Sequence, residues 1–367
     1  QGGMKAVIWG DVIQMCILFF GIVICLGYGL SELGGVSNFL TEVDSDRLVA
    51  IDFTKWGFNN ADGNDEFGFW PMIIGGFFLY ASYYGTDQTQ SQRLLSSKDM
   101  PTIKRLLLAN GIFRFPITLT YCFMGLVLGT LLLQDVGFQN LLDATYQENI
   151  GSLAGKKADL MVPIFIIKYL PNGIIGILIV AIMSAAMSSL SSTVNSLSAV
   201  TLEDFVKRFK PNVTDNEYVK YSRFISLFWG LVCLGFAFFA GSIEGTVIEV
   251  INKISSVFYG PILAAFILAI ASKKVQAIGA NIGIVAGVGL NIYLWLAVPE
   301  VFWFWWNAIG CLTTIIVAIV ISSFIRNKKS KTIEVVWYKN AKSAVITLLA
   351  YFVIIAVLAW SLSKILS

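Results

Sequence analysis

The chain has no histidine among its 367 residues, and only 13% of its residues are charged. Without histidine, imidazole-based acid–base catalysis and His-ligated metal sites are excluded. The five cysteines lie inside apolar segments without CxxC spacing, which indicates buried thiols rather than disulfides or metal ligands. They are Cys16, Cys25, Cys122, Cys233 and Cys311.

Apolar and aromatic residues are present in excess. Hydrophobic residues make up 56% of the chain, which includes 27 Phe, 13 Tyr and 10 Trp. A soluble domain of this length cannot bury so much apolar surface, so the composition predicts an all-α polytopic protein of the lipid bilayer. Nine spans, each close to the roughly 20 residues that cross a bilayer, are predicted at about 4–30, 68–91, 106–134, 172–201, 222–242, 245–272, 276–298, 302–325 and 343–364.

Basic residues gather in four loops, which follow residues 91, 201, 272 and 325 and alternate with acidic or aromatic loops. By the positive-inside rule the basic loops are cytoplasmic. The N-terminus of the chain is then cytoplasmic, its C-terminus lies outside the cell (inner) membrane, and the Trp-rich run at 302–306 forms an outer aromatic belt. The net charge of +3 therefore reports topology and not a nucleic-acid partner.

We expect residues 1–367 to form a single transmembrane domain. Three amphipathic pieces in the outer loops, Val36–Phe39, Phe138–Leu142 and Val162–Tyr169, predict short interfacial helices or lids. The chain opens on Gln1 without the pattern of a signal peptide, and we expect it to begin within a larger protein.

The span at 172–201 fills with hydroxyl groups in its C-terminal half. Polar side chains recur there along one helical face. They are Ser184, Ser188, Ser191, Ser192 and Asn195, with Ser189 and Ser196 beside them. Lipid excludes such a stripe, so it faces protein, water or an ion. Neutral oxygens favour a hard cation such as sodium, whereas close packing of small residues is the alternative explanation.

Other polar residues also lie within predicted spans. Asp11, with Gln14 one turn on, is either an ion ligand or an interfacial carboxylate near a helix N-terminus. Arg114 could hold a substrate carboxylate, pair with Asp87 or snorkel toward the cytoplasm. Lys253 beside Asn252 favours a cavity or a carboxylate, with Glu249 one turn earlier as its local partner.

The second span ends in a tyrosine cluster. Tyr80, Tyr83 and Tyr84 share one helical side, and Gly85 and Asp87 follow. A glycine with polar neighbours at this depth predicts a helix interruption that lines a cavity. Tyrosines supply apolar faces and hydroxyl donors for a small polar ligand, although an interfacial aromatic belt is the alternative.

Four segments together resemble the sodium:solute symporter family, and their order, spacing and membrane placement fit from end to end. They are GMKAVIWGDVIQ at 3–14, YYGTDQTQSQRLLSSK at 83–98, AAMSSLSSTVNSLS at 185–198 and NKISSVFYGPILAAF at 252–266. The resemblance implies a LeuT-type fold, in which two inverted five-helix repeats enclose the ion and substrate sites. The span at 4–30 would be the last helix of the first repeat, five spans would form the second repeat, and three would be peripheral. The first core helices would lie outside this chain, which should not transport by itself.

The resemblance implies that sodium is the coupling ion. Its main site would use the carbonyl of Ala185 and the hydroxyls of Ser188 and Ser189. In some relatives an aspartate of the first motif forms a second sodium position, which here implies Asp11 facing Ser189 and Ser192.

For the solute, the resemblance implies that Tyr83 is the tyrosine that gates the inner side in sugar-transporting members. Three positions depart from those members: Tyr80 replaces an Asn, Asn252-Lys253 replaces a Gln-Glu pair, and Arg114 replaces a Lys. The last two replacements keep or add positive charge, which favours a carboxylate-bearing or otherwise anionic solute. The candidate substrate-binding residues are Tyr80, Tyr83, Tyr84, Asp87, Arg114, Asn252 and Lys253.

We therefore expect a secondary active transporter that couples sodium to a small organic solute by alternating access. The alternatives are symport of a neutral sugar or polyol, a transporter-like sensor without transport, and a channel. A membrane-embedded enzyme is disfavoured, because Asp11, Asp87 and Glu249 are not spaced as an aspartyl dyad.

Overall fold

The computed structural model describes residues 3–49, 51–59, 65–149, 156–240, 246–272, 274–325 and 341–366. All regular secondary structure in the described residues is helical. The helices are α1 (Gly3–Glu32), α2 (Val36–Glu42), α3 (Phe69–Thr86), α4 (Gln88–Leu95), α5 (Met100–Gln134), α6 (Val136–Glu148), α7 (Met161–Tyr169), α8 (Asn172–Val200), α9 (Asp215–Ala240), α10 (Val247–Ala271), α11 (Ala277–Ala297), α12 (Phe304–Phe324) and α13 (Ala341–Leu366).

Eight helices in the described part of the chain are long and apolar enough to cross a membrane. They are α1, α5 and α8–α13, and each coincides with one of the nine predicted spans. The ninth predicted span contains α3, which is only 18 residues long and carries tyrosines and polar residues in its second half. This helix ends at Thr86, Asp87 is extended (φ −70°, ψ 125°), and α4 begins at Gln88. The predicted interruption is therefore confirmed.

The three amphipathic pieces of the outer loops lie in α2, α6 and α7, so the prediction of short helices there is confirmed. The basic loop that follows residue 325 lies outside the described residues, as does Lys273. The prediction of five buried thiols is wrong in part. Cys25 and Cys311 are buried, but Cys16 and Cys122 are exposed on the sides of apolar helices, where a small apolar side chain needs no protein neighbour.

The chain divides into two compact units. The first comprises Gln1–Arg47, Leu95–Lys98 and Ala109–Val247, and the second comprises Leu48–Leu94, Asp99–Leu108 and Ile248–Ser367.

The core of the first unit joins α1, α5, α6, α7 and α8. Val127 and Leu128 from α5, Phe138 from α6 and Phe165 from α7 are completely buried there. Helices α1 and α8 run antiparallel, because Gly21 faces the Leu178 side chain while Asp11 meets Ser188 further along.

At its C-terminal end α8 continues into a π-helical turn, Thr201–Val206. Two bonds tie this end to α9. The Ser226 hydroxyl donates to Ser198 at 3.0 Å, and the Trp229 indole donates to the Thr201 hydroxyl at 2.9 Å. The serine-rich helix is thus anchored at one end by polar contacts.

The first unit also contains a cluster of polar and charged side chains around Asp135, between α5 and α6. The Asp135 carboxylate caps α6 through the backbone N–H of Phe138. It also accepts hydrogen bonds from Lys168, at 2.5 Å, and from the Tyr169 hydroxyl of α7. These bonds hold the pKa of Asp135 well below its usual range, with the Lys168 bond as the largest cause.

In the second unit α12 packs at backbone distance against α3 and α10. A Cβ atom at Gly75 would collide with the carbonyl of Phe304, and one at Gly260 would collide with the carbonyl of Asn307. Only glycine allows this approach. The buried Ser82 hydroxyl of α3 donates to the carbonyl of Tyr259 on α10 at 2.9 Å.

The loop before α3 folds over the start of α12. The carbonyl of Gly57 accepts from the backbone of Phe302 at 2.8 Å, and the carbonyl of Trp56 accepts from the Trp305 indole at 2.8 Å. The Asp65 carboxylate accepts three hydrogen bonds from the backbone N–H groups of Trp56, Phe58 and Asn59. Hydrogen bonds to its main-chain groups therefore hold the loop and join it to the N-terminal end of α12.

Candidate ion and solute sites

The carboxylate of Asp11 and the hydroxyl of Ser188 lie in direct contact. Ser188 on α8 donates a hydrogen bond to Asp11 on α1, and both residues are half-buried. The hydroxyl proton is used in this bond, so the lone pairs of the Ser188 oxygen can still accept a cation. Asp11 and Ser188, which were predicted to belong to different sodium positions, are thus in contact.

A further polar side chain follows Asp11 on the same helix. Gln14 lies one turn after Asp11 on α1, and its Oε1 atom is buried and accepts no hydrogen bond from the described residues. Ser192, one turn after Ser188, is only 5% exposed. The sequence predicts the position of Gln14 relative to Asp11, but it does not show that its carbonyl is buried.

The proposed main sodium ligands lie on one turn of α8. Ala185 and Ser188 are half-buried, and Ser189 is exposed. In a helix, the carbonyl of one residue lies beside the side chains three and four positions later. Thr193, whose hydroxyl donates to the Ser189 carbonyl at 2.9 Å, shows this geometry on the same helix. Ser188 and Ser189 follow Ala185 by these three and four positions, which is the spacing that the proposed site requires.

The rest of the serine stripe is divided between packing and surface. Ser196 and Ser198 are buried, and Ser198 also donates to the Val194 carbonyl at 2.6 Å. Ser184 and Asn195 are half-buried, whereas Ser191 is exposed. Toward its C-terminal end, the stripe thus faces protein.

The tyrosine cluster lies in the second unit, at the end of α3. The Tyr83 and Tyr84 rings meet edge to face with centroids 5.2 Å apart, and Tyr80 stacks near Tyr84 at 6.5 Å. The Tyr83 hydroxyl accepts a hydrogen bond from Gln90 of α4 at 2.7 Å. Asp87 sits between the two helices and accepts from the backbone N–H of Gln90 at 3.1 Å. Tyr83 and Asp87 are thus both tied to the start of α4.

Lys253 and Asn252 lie near the start of α10, also in the second unit. Lys253 forms an ion pair with Glu249 at 2.7 Å, the local partner that the sequence named. The Asn252 amide donates to the carbonyl of Ile248 one turn earlier at 2.7 Å. Both side chains therefore have partners on their own helix.

Arg114 lies on α5 in the first unit. The residue is exposed, and it has at least one interaction partner.

The sequence does not predict two further buried polar groups, which are indole N–H groups. Trp303 and Trp306, at the start of α12, are 4% and 3% exposed, and both indole N–H groups are buried without an acceptor among the described residues. The sequence shows a dense Trp run, which is equally typical of an interfacial belt. A buried cluster and an interfacial belt differ in how far the indoles are buried, and only the folded structure shows this burial.

Eight helices in the described part of the chain are long and apolar enough to cross a membrane, which defines a multi-pass membrane protein. The family follows from the match of the sodium:solute symporter family model, which covers residues 1–287. The chain belongs to the sodium:solute symporter family. Members of this family are transporters that use sodium as the coupling ion.

Curated relatives agree with this assignment. The chain is 28% identical to the human sodium/iodide cotransporter over 81% of its own length and 43% of that protein. It is 29% identical to human sodium-coupled monocarboxylate transporter 1 over 80% of its length and 45% of that protein. It is also 29% identical to the rabbit sodium-dependent multivitamin transporter, over 82% and 44% respectively. The chain thus spans less than half of the length of these relatives.

Among solved structures, the chain resembles a Na⁺-coupled sialic acid symporter in a substrate-bound, outward-open state. The TM-score is 0.69 and the sequence identity 23%, over 90% of this chain and 64% of that one. At this identity the likeness shows the fold, which is LeuT-type and all-helical as the sequence predicted.

Proposed function

We propose that this chain contributes the sodium-binding helices of a symporter that moves a small organic solute by alternating access. The observation that carries the proposal is the contact between Asp11 and Ser188; one turn after Asp11, the side-chain carbonyl of Gln14 is buried without a partner among the described residues. Carboxylate, hydroxyl and amide oxygens without nitrogen or sulfur ligands suit a hard monovalent cation. The main sodium site is assigned to Ala185, Ser188 and Ser189.

A second sodium position is assigned to Asp11, with Ser192 one turn from Ser188. Since Ser188 contacts Asp11 directly, the two positions share this hydroxyl. Binding at one position is then expected to change the affinity of the other.

The solute is proposed to carry a carboxylate or another anionic group. Arg114 and Lys253 supply positive charge where sugar-transporting relatives have Lys and Glu, and two relatives are named for iodide and monocarboxylates. The ion pair of Lys253 with Glu249 partly offsets this charge. Tyr80, Tyr83, Tyr84, Asp87 and Asn252 are the other proposed substrate-binding residues.

The proposed coupling is mutual stabilisation. Sodium bound at α8 stabilises the outward-open state and orders the solute site, and bound solute then favours inward opening past Tyr83. By linkage, sodium raises the affinity for the solute by the same factor that the solute raises the affinity for sodium. We further propose a cell-membrane location, one transporter domain over residues 1–367, and a cytoplasmic start and external end for the chain.

The test is solute uptake by the full-length protein in proteoliposomes, with and without an inward sodium gradient. Short-chain carboxylates, iodide, sugars and vitamins form the panel. We expect sodium-dependent uptake of a carboxylate, and Ser189→Ala should lower the apparent sodium affinity at least about tenfold, a factor that corresponds to the loss of one good ligand. Uptake that does not depend on sodium would refute the proposal, and sodium-dependent uptake of a sugar alone would refute the anionic solute.

Ser191→Ala is the matched control for this test. Ser191 is an exposed serine of the same helix outside the assigned ligand set, so its loss should leave sodium activation unchanged. Unchanged sodium activation in Ser189→Ala would overturn the assignment of the main site.

A further inference from the structure

A groove of about 440 Å³ lies along one face of the first half of α9, in the first unit. It is lined by Asn216, Val219, Lys220, Arg223, Phe224 and Leu227. These residues recur every three or four positions, so they share one face of the helix. All six are exposed, and the volume is in the range of small-ligand sites. This face of α9 therefore has room for a ligand.

The other face of α9 packs against the end of α8. Ile225 is buried, and Ser226 and Trp229 donate the two hydrogen bonds that tie α9 to that end. The Tyr218 hydroxyl donates to the Glu203 carboxylate of the π-helical turn at 2.9 Å. These contacts fix the rotation of α9 about its axis, so the groove faces away from α8.

The polar end of the groove carries two cations without an acidic partner. Neither Lys220 nor Arg223 forms an ion pair within the described part of the chain. Two lysines just before α9 differ from them. Lys207 pairs with Glu203 at 2.7 Å, and Lys210 donates to the Tyr221 hydroxyl at 2.9 Å. The charge of the groove cations is thus available to an anion from outside the chain.

Nearby carboxylates only partly offset this charge. Glu217 accepts hydrogen bonds from the backbone N–H of Thr214 at 3.1 Å and from its hydroxyl at 2.9 Å, which engages this carboxylate at the start of α9. Asp215 lies one turn before Val219 and hence at the edge of the groove face. Two cations against one carboxylate favour a ligand with a single negative charge.

The groove changes from polar to apolar along the helix. Phe224 and Leu227 follow the two cations, and the exposed Leu231 and Leu234 continue the same face. From Arg223 to Leu234 the helix rises about 17 Å at 1.5 Å per residue. This rise is close to half of the roughly 30 Å hydrocarbon core of a bilayer. The face thus matches the length of a phospholipid in one leaflet.

We propose that this groove binds one anionic phospholipid, whose phosphate lies between Lys220 and Arg223 and whose acyl chain follows Phe224 and Leu227. A guanidinium can bind two phosphate oxygens at once, and the ammonium supplies a second charge. The apolar continuation of the groove favours a lipid over a free phosphate. The predicted span that contains α9 starts at residue 222, which places both cations at the membrane boundary. The lipid-binding site goes beyond the proposed function and uses only the proposed orientation, because anionic lipids are enriched in the cytoplasmic leaflet.

The test is native mass spectrometry of the full-length protein in detergent, titrated with phosphatidylglycerol or with phosphatidylcholine of the same acyl chains. We expect phosphatidylglycerol to bind at least about tenfold more tightly, since each basic residue near the surface favours an anionic lipid. Lys220→Gln/Arg223→Gln should remove this preference. Asp215→Asn should strengthen phosphatidylglycerol binding, because it removes the opposing carboxylate. Glycerol phosphate at the concentration of the lipid should not displace it.

Arg208→Gln/Lys210→Gln is the matched control, because it removes the same charge from exposed residues of the preceding segment that do not line the groove. It should keep the preference for phosphatidylglycerol. This lipid should also raise the melting temperature of the wild type and of the control, but not that of the groove variant.

Three results would overturn the proposal. The first is equal affinity of the wild type for the two lipids, and the second is an equal loss of preference in both double variants, which would indicate a general charge effect. The third is displacement of the lipid by glycerol phosphate at equal concentration. A groove variant that binds like the wild type would likewise exclude the site, as expected if a second copy or another helix covers this face. None of these results bears on sodium-dependent uptake, so the proposed function is tested separately.

Discussion

The hydroxyl of Ser188 donates a hydrogen bond to the carboxylate of Asp11, and this bond joins α8 to α1. Asp11→Asn keeps an acceptor oxygen for Ser188 and removes the negative charge. If Asp11 holds an ion, we expect the apparent sodium affinity to fall at least about tenfold, since a charged ligand is lost, with fewer sodium ions moved per solute. Sodium-activation curves and the ratio of ²²Na⁺ to solute flux measure both effects.

Thr193→Ala is the control for this prediction, because Thr193 is exposed on α8 and, among the described residues, its hydroxyl donates to the Ser189 carbonyl and not to Asp11. An Asp11→Asn protein with wild-type sodium activation and stoichiometry would show that the carboxylate only holds the two helices together.

Tyr83→Phe removes the acceptor that Gln90 uses at 2.7 Å, across the break between α3 and α4. If Tyr83 gates the inner side as well as binding the solute, the maximal uptake rate should change several-fold, and by more than the external Michaelis constant. Gln90→Leu should have the same effect, and the double variant should add little, since both changes delete one bond. Additive effects of the two substitutions would argue against a gate based on this bond.

Gly260→Ala should prevent stable folding of the second unit. Its Cβ would collide with the backbone of Asn307, and backbone atoms cannot move aside as a side chain can. We expect a loss of about 3 kcal/mol or more, at the upper end of overpacking effects. Gly289→Ala on α11 is the matched control because its Cβ meets open space. Thermal unfolding of the purified variants measures the difference, and equal melting temperatures would contradict the close packing of α10 against α12.

Asp135 predicts a dependence of stability on pH. The folded state holds its pKa below the usual value near 4, so its contribution is fully present above about pH 4 and is lost as the pH falls through the lower, folded-state pKa. Asp135→Asn should lower the melting temperature by a few degrees at pH 7, a modest effect because the pair with Lys168 is partly exposed. The difference from the wild type should shrink below pH 4. A difference that is constant from pH 7 to pH 3 would exclude this carboxylate as its origin.

Periodicity and hydropathy predict most of the helices, because a membrane helix must satisfy its own backbone and cover it with apolar side chains. The limits of this prediction appear at α3, which lies in the span predicted at 68–91 but carries tyrosines and polar residues and is not among the eight helices apolar enough to cross a membrane. They also appear at Cys16 and Cys122. An apolar segment predicts contact with either lipid or protein, and only the packing decides which of the two each side chain meets.

At the candidate sites too, the sequence predicts contacts within one helix but not the burial that arises from packing. Spacing along one helix predicts pairs such as Lys253 with Glu249. The family motifs place Ser188 in one proposed sodium site and Asp11 in another, facing Ser189 and Ser192, whereas in the structure Asp11 contacts Ser188. The burial of the Gln14 carbonyl and of the Trp303 and Trp306 indoles depends on neighbours distant in sequence. Such burial has no local signature, so these groups could not be predicted from the chain alone.

The π-helical turn at Thr201–Val206 affects how this protein can be aligned with its relatives. A π-turn contains one residue more than an α-turn, so the rotational phase of α8 shifts by one position beyond Val200. A gapless alignment through this turn compares side chains on different faces if a relative lacks the extra residue. Residue equivalences with a relative that hold for Ala185 to Ser192 should therefore not be extended past Val200 by counting residues. The extra residue of the π-turn must first be placed in the alignment. Only then can the effect of a substitution at Glu203 or Lys207 be compared between the two proteins.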